Sequence, residues 1–548
     1  MTLDYRKGKA DRPQTDVSAT QVQVVTGSWV EVLGPVWRRY RVSVIASFAV
    51  NLLAFGYLYF TYIYTNHVFP NIIDQGFPSF RTRLEGRWGS DLIYFLQGSR
   101  GIPLLDLTLA VPIQIANGVL FTALFSIVDP LAVFLAASLI SIHPFVSDYY
   151  SFAGDHLVLV LGDTLILAAF WLVRQRMRSF WTVPLAAVLV QFGISCYQPK
   201  ISMAATIWLL IFFGRLAQWD GANATLRRDA RELSLHAASM LSGAALYIAL
   251  LSISQWWSGD PASGSAHSAV RLSTATVADF LPQARIVLKN TRGILFASDF
   301  FGNGLRMLVG ILLLLFIVLL CRRVLIQFPS SGSKLLALTL ILLGLCLLPF
   351  ALHAPYMVSP KSYLAGRMLM PIAYFTAFLP LALLMVGRGR GLRWMVVSVG
   401  LFMCCRFVLI DAEAGHLARL RTTYEFEFVN RLASRIEEAL TLVPNEHYAL
   451  VVVGHPAMPA VLRPSVESRS NLTERSFIPY RDVEMLNFVL GRDLLFYPNK
   501  AQVRRGLDYA AQHSIWPAKD SVAVLNGQIL VVVLEPPHDQ VATTMDVP

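Results

Sequence analysis

Charge is what this sequence has least of. Charged residues fill 15% of its 548 positions, where a soluble domain carries roughly 25%. Hydrophobic residues fill 55%, and the mean hydropathy is +0.53. That balance excludes an ordinary soluble chain. Cysteine is scarce as well: Cys196, Cys321, Cys346, Cys404 and Cys405 are the five, all in or beside apolar runs. None stands at metal-ligand spacing, so they read as small buried apolar residues and not as a disulfide framework. A glycine-rich fingerprint joining a strand to a helix is also missing, which argues against a Rossmann-type nucleotide site. Acid is in deficit, with 46 Lys+Arg against 35 Asp+Glu and a net charge of +11. In a soluble protein such an excess suggests nucleic acid. Here the basic residues fall between apolar runs, as membrane topology requires, so no nucleic-acid partner is expected.

What the sequence does have is long apolar runs. A membrane helix needs about 20 mostly apolar residues. Runs at approximately 42–63, 102–127, 131–147, 156–173, 181–197, 201–216, 236–254, 304–320, 334–351, 369–386 and 393–411 predict about eleven spans. The first 36 residues are polar and carry no evident cleavable signal, so 1–36 reads as a disordered cytoplasmic tail. Basic clusters then recur between the runs. Arg38, Arg39 and Arg41 precede the first run, and Arg174, Arg176 and Arg178 follow the fourth. Arg215, Arg227, Arg228 and Arg231 follow the sixth, Arg322 and Arg323 the eighth, and Arg388, Arg390 and Arg393 lie between the tenth and eleventh. With alternating spans all of them share one side, which the positive-inside rule makes the cytoplasm.

The other side then carries loops at 64–101 and 143–156, connections at 255–303 and 352–368, and the tail 412–548. In the tail, 420–440 has helical spacing, Tyr448–Val453 reads as a strand, and Ser521–Leu534 reads as two strands around Asn526-Gly527, a hairpin signal. The expected fold class is an all-α polytopic membrane protein with a small C-terminal α/β extracytoplasmic domain. Its units are the tail 1–36, a transmembrane domain 37–411 with outer loops 64–101 and 143–156, and the domain 412–548.

The outer loops hold the candidate chemistry. Loop 64–101 is long and polar, and from Trp88 its spacing is amphipathic, with Trp88, Leu92, Phe95 and Leu96 on one face. That pattern fits a helix lying in the membrane interface. Loop 143–156 contains His143, Asp148, Asp155 and His156 at a spacing that matches no standard metal site, so no metal is expected. Asp155, at the outer end of the fourth run beside an aromatic turn, suits a general base or a group that orients a hydroxyl. Asp106 and Asp163 lie inside the second and fourth runs. Intramembrane acids are costly and often functional, but helix-to-helix hydrogen bonding is the commoner explanation.

Three local patterns carry a family resemblance. Asp74 is followed by Gly86-Arg87-Trp88 in the first outer loop. Tyr149-Tyr150 leads to Asp155 at the fourth run, with a spacing one residue longer than the family pattern. Tyr197-Gln198-Pro199-Lys200 closes the fifth, and a later element, Arg367-Met368-Leu369-Met370-Pro371, has an Arg-x-Leu-x-Pro-like form. In this order the chain resembles the Gtr-type O-antigen serotype-converting glucosyltransferases, members of the GT-C class of membrane glycosyltransferases, over about 45–410. The resemblance implies transfer of a sugar, glucose above all, from a polyprenyl-phosphate donor to a surface polysaccharide such as O-antigen on the periplasmic face of a bacterial inner membrane. It implies an N-terminus in the cytoplasm and a C-terminus in the periplasm, no cofactor, and a flippase and a donor-lipid synthase as partners beside the bilayer.

Under that resemblance Asp74 is the favoured base and Asp155 the alternative. Arg81, Arg87, Lys200 and Arg367 are candidates for the lipid phosphate, or else surface charges that snorkel. Trp88, Tyr149 and Tyr150 stack on a sugar ring or belong to an interfacial belt. Tyr197 and Gln198 bond sugar hydroxyls or link helices. Competing readings are a GT-C transferase for another sugar or acceptor, a polysaccharide polymerase, and a lipid-linked sugar transporter. A transporter more often shows two related halves with interrupted helices, and no internal repeat is visible.

Overall fold

The computed structural model describes residues 29–61, 63, 86–97, 102–152, 154–177, 179–258, 277–292, 303–328, 330–354, 357, 366–387, 389–440, 447–465, 477 and 482–537. Thirteen of its helices run, in chain order, as α1 (Trp29–Phe55), α2 (Trp88–Leu96), α3 (Pro103–Ala123), α4 (Pro130–Ser141), α5 (His156–Gln175), α6 (Thr182–Cys196), α7 (Lys200–Gln218), α8 (Asn223–Ser258), α9 (Val277–Arg292), α10 (Asn303–Gln327), α11 (Ser331–Leu352), α12 (Met370–Val386) and α13 (Arg390–Leu440). All but α2 and α9 fall on the apolar runs of the sequence. Eight helices among the described residues are long and apolar enough to cross a membrane. Two more, α4 and α6, are apolar but have only 12 and 15 residues. The chain is therefore an all-α polytopic membrane protein with a small sheet near its C-terminus.

Local chemistry explains the tight entry to α4. Pro130 sits at the first helical turn, and the Asp129 side chain accepts from the backbone N–H groups of Leu131 at 2.9 Å and Ala132 at 3.3 Å. The chain so turned packs α4 against α3, close enough that a Cβ at Gly118 would run into the Ala137 backbone. Polar contacts tie α1 to α4: Ser47 meets Ser138 at 3.0 Å, and the Asn51 amide donates to Ser141 at 2.7 Å. Helix α12 is buried along nearly its whole length and occupies the centre, while Met307, Ile311 and Leu314 of α10 and Leu342 of α11 are exposed. A helix apolar all round belongs inside, and apolar residues left on an outer surface of such a bundle suit lipid.

The basic clusters gather at one end of the bundle. Arg393 pairs with Asp129 at 2.5 Å, and Arg215 pairs with Glu232 at 2.5 Å. Arg174 donates to Ser126, Arg323 donates to the Ala217 carbonyl, and Ser43, two residues from Arg41, donates to the Pro130 carbonyl at 2.6 Å.

Helix α13 does not stop where its apolar run ends at 411. Its 51 residues make a rod of roughly 75 Å at about 1.5 Å per residue, more than twice the roughly 30 Å hydrocarbon core. Its second half enters the C-terminal domain. There β1 (Tyr448–Val453), α14 (Asp482–Leu490), β2 (Leu495–Phe496), α15 (Lys500–Ala510), β3 (Val522–Leu525) and β4 (Ile529–Val533) build a four-stranded sheet of order β2-β1-β4-β3. Strand β1 is parallel to β2 and β4, and β3 pairs antiparallel with β4. The β3–β4 turn is Asn526-Gly527, both with positive φ, at 51° and 69°, the geometry of a type I′ hairpin. One face of the sheet packs on Phe428, Leu432 and Ile436 of α13 and on α14. The other packs on α15 through Leu507 and Ala510.

Candidate active site

At the end of the bundle away from the basic clusters, α2, the loop before α5, the α6–α7 turn and the start of α12 converge. Asp74 and Arg81 lie outside the described residues. The other candidates are placed.

Helix α2 is the first wall. Leu92, Phe95 and Leu96 are exposed on one side, while Gly89, Ser90 and Tyr94 are buried on the other. The close side rests on α6: Ser90 donates to the Cys196 carbonyl at 2.8 Å, and a Cβ at Gly89 would lie 2.9 Å from the Cys196 nitrogen. Trp88 stacks on Tyr247 of α8 with ring centroids 5.0 Å apart, and the Tyr247 hydroxyl donates to the Gly86 carbonyl at 3.3 Å. Gly86 holds φ +66° with Leu251 and Tyr247 at its back, a backbone and a clearance that favour glycine.

Two arginines flank one tyrosine. Arg87 Nε donates to Gln198 Oε1 at 3.3 Å, and its guanidinium lies 5.1 Å from the Tyr197 ring centroid. From the other side Arg367 Nε donates to the Tyr197 hydroxyl at 3.0 Å, and its guanidinium lies 4.4 Å from the Phe152 ring. The Arg367 backbone N–H donates to Asp148 Oδ2 at 3.0 Å. Gly366, one residue before, leaves no room for a Cβ against that carboxylate. Both arginines are half-buried. The result is a concentration of positive charge with planar donor groups, which is how proteins receive phosphate and carboxylate oxygens.

Asp155 stands beside α2. It is 6% exposed, occupies the N-cap of α5, and accepts a hydrogen bond from the Tyr94 hydroxyl. Tyr94 was not among the sequence candidates. Its signal was there: it lies four residues after Ser90 and seven after Arg87, on the helix face opposite Leu92, Phe95 and Leu96. Asp148 and Phe152 were missed too, although both adjoin the aromatic turn.

Lys200 has a different setting. It is 2% exposed, and its ammonium donates to Asp163 of α5 and to the Tyr149 hydroxyl. The Tyr149 hydroxyl lies 3.4 Å from each Asp163 oxygen. The acid inside the fourth run is thus one half of an ion pair joining α5 to α7. Burial and then the Asp163 charge push the Tyr149 hydroxyl well above its ordinary pKa, and burial does the same for Tyr150. Both phenols keep their protons. His143 is neutral, since burial holds its pKa down at about 3. The His156 Nε2 lies 3.0 Å from the Tyr150 carbonyl. Among the described residues no three His, Cys, Asp or Glu side chains form a group that could hold a metal.

A carboxylate and a pair of arginines at one end of a membrane bundle suit a reaction in which a proton leaves one substrate while negative charge grows on another. The sequence model of one protein family, described as Glucosyl transferase GtrII, matches residues 70–384. That match takes in every placed candidate above. Neither the curated proteins nor the solved structures give a match to this chain.

Proposed function

The chain belongs to the GtrII glucosyl transferase family, and from that premise we propose that it moves glucose from a polyprenyl-phosphate donor to a hydroxyl of a surface polysaccharide such as O-antigen, on the periplasmic face of the inner membrane. The observation that carries this reading is the pair Arg87 and Arg367 on either side of Tyr197. A lipid phosphate is the leaving group, and its negative charge grows as the bond to the anomeric carbon breaks. Two guanidiniums stabilise that charge more in the transition state than in the ground state. The acceptor oxygen forms the new bond to the anomeric carbon, and its proton passes to a carboxylate within hydrogen-bond reach. Asp74 is the proposed base. Asp155 is the second candidate, as base or as the group that orients the acceptor hydroxyl, with Tyr94 holding one of its oxygens. One displacement inverts the anomeric centre and needs one base.

Trp88, Tyr150, Tyr197 and Gln198 are the proposed sugar-facing residues, Lys200 and Tyr149 are proposed to support them from behind through Asp163, and Arg81 joins the arginines. The apolar outer face of α2 supports a lipid-borne donor, since a helix of this kind rests in the interface where a polyprenyl chain ends in its headgroup. A flippase and a donor-lipid synthase are the proposed partners. The test is to express Asp74→Asn and Asp155→Asn separately, confirm membrane insertion, and measure glucose on the polysaccharide. The proposal expects Asp74→Asn to lose at least about a hundredfold in rate. Normal rates in both variants would overturn the site assignment.

A further inference from the structure

Beside Tyr150, on the α13 side of the aromatic turn, lie buried polar groups to which the chemistry above gives no role. Asp411 of α13 is 0% exposed, and neither of its carboxylate oxygens has a hydrogen-bond partner among the described residues. The hydroxyls of Tyr57 and Tyr150 are likewise buried and have no hydrogen-bond partner among the described residues. Packing of α13 against α1 and α4 brings the three into one region. Their positions are built in. The Tyr57 ring seats on Gly415, one turn beyond Asp411 on the same face of α13, where no Cβ would fit. The Tyr150 ring is held edge-on by Phe55 at 4.9 Å and by His156 at 5.7 Å. One turn before Asp411, Phe407 is fixed against His143 at 4.9 Å.

An unpaired carboxylate inside a membrane bundle is expensive, and natural proteins keep such groups where a ligand or a function needs them. The set here is one strong acceptor and two phenols able to donate or accept, framed by aromatic rings, with no cation among them. That chemistry offers a phosphate no cation and suits neighbouring hydroxyl groups on a sugar. We infer that Asp411, Tyr57 and Tyr150 form a hydroxyl-binding subsite for a pyranose ring, next to Asp155 across His156 and distinct from the arginine pair. The pyranose is the glucose of the donor or a residue of the acceptor. The inference rests on the glycosyl-transfer reading, and the two are tested separately.

The experiment is a thermal shift of the full chain in detergent, with three ligands: undecaprenyl-phosphate glucose, the repeat-unit oligosaccharide of the acceptor, and undecaprenyl phosphate without sugar. Wild type is compared with Asp411→Asn and Tyr150→Phe, both close in shape to the originals. The subsite predicts that a sugar-bearing ligand stabilises wild type and binds each variant at least about tenfold more weakly. The sugar-free lipid phosphate should bind all three proteins alike. Loss with the donor places the glucose here, and loss with the oligosaccharide places the acceptor here. Unchanged affinity for both sugar-bearing ligands in both variants would overturn the inference, as would a wild type that neither ligand stabilises. A wild type that binds these ligands and transfers nothing from the lipid donor would sink the functional reading and leave the subsite standing.

Discussion

At the residue scale the account depends on single polar atoms. The Tyr94 hydroxyl donates to Asp155, and Tyr94→Phe removes only that donor. If Asp155 orients or deprotonates the acceptor, kcat should fall by about tenfold or more while insertion and donor KM hold. Unchanged kinetics would assign the contact to packing. The Arg367 Nε donates to Tyr197, and a lysine cannot reproduce that planar fork. Arg367→Lys should raise donor KM or lower kcat by about tenfold, with Arg367→Ala worse. The candidates legible in the sequence were those with a local signature, such as Arg87-Trp88 or Tyr197-Gln198. The helix face of Tyr94 was legible but its partner was not, and Asp411 was not legible at all, because nothing within a few positions of either says that Asp155 or Tyr150 lies beside it. Contacts across 61 residues, as between Tyr94 and Asp155, come from packing and not from pattern.

At the element scale the bundle is joined by buried pairs. Lys200 and Asp163 link α7 to α5 at 3% and 0% side-chain exposure. Lys200→Met leaves the Asp163 carboxylate uncompensated and should cost about 3–5 kcal/mol of stability, and adding Asp163→Leu should recover most of it. Resistance to unfolding in mixed detergent would measure both. In the C-terminal domain, burial pushes the Asp482 carboxyl well above the usual carboxylate range. A carboxyl that holds its proton more tightly when folded contributes fully below its unfolded pKa of about 3.9. That contribution is lost as pH rises through the folded value. Asp482→Asn should therefore raise the domain's melting temperature at pH 7 and leave it unchanged at a pH of about 3. The spans were legible because each carries its own hydrophobic signal over 20 or so residues. The length of α13 was not, because a change from apolar to amphipathic sequence near 411 is a change of environment and not of backbone. The helix continues, with Phe428, Leu432 and Ile436 serving a second core.

At the scale of the whole molecule, the arginine clusters at one end and the candidate site at the other amount to a polarity. The positive-inside rule turns that polarity into a topology. A reporter enzyme active only outside the cytoplasm should be active when fused after Glu535 and silent when fused after Phe328, which follows α10 beside the Arg322-Arg323 cluster. Equal activity at both positions would break the proposed topology and the proposed periplasmic site with it. The family's model spans the bundle from 70 to 384 and stops before α13 and the sheet domain. Helix α13 carries Phe407 against His143 of the outer loop and the sheet domain at its far end, so among the described residues it joins the two.

The most direct test of the central claim uses the purified chain in liposomes with acceptor polysaccharide, supplied either with radiolabelled undecaprenyl-phosphate glucose or with radiolabelled nucleotide-linked glucose. Label should reach the polysaccharide from the lipid donor and not from the nucleotide donor, and should be lost when Arg87 and Arg367 are both replaced by Ala. Transfer from the nucleotide sugar alone, or undiminished transfer in the double variant, would contradict the claim.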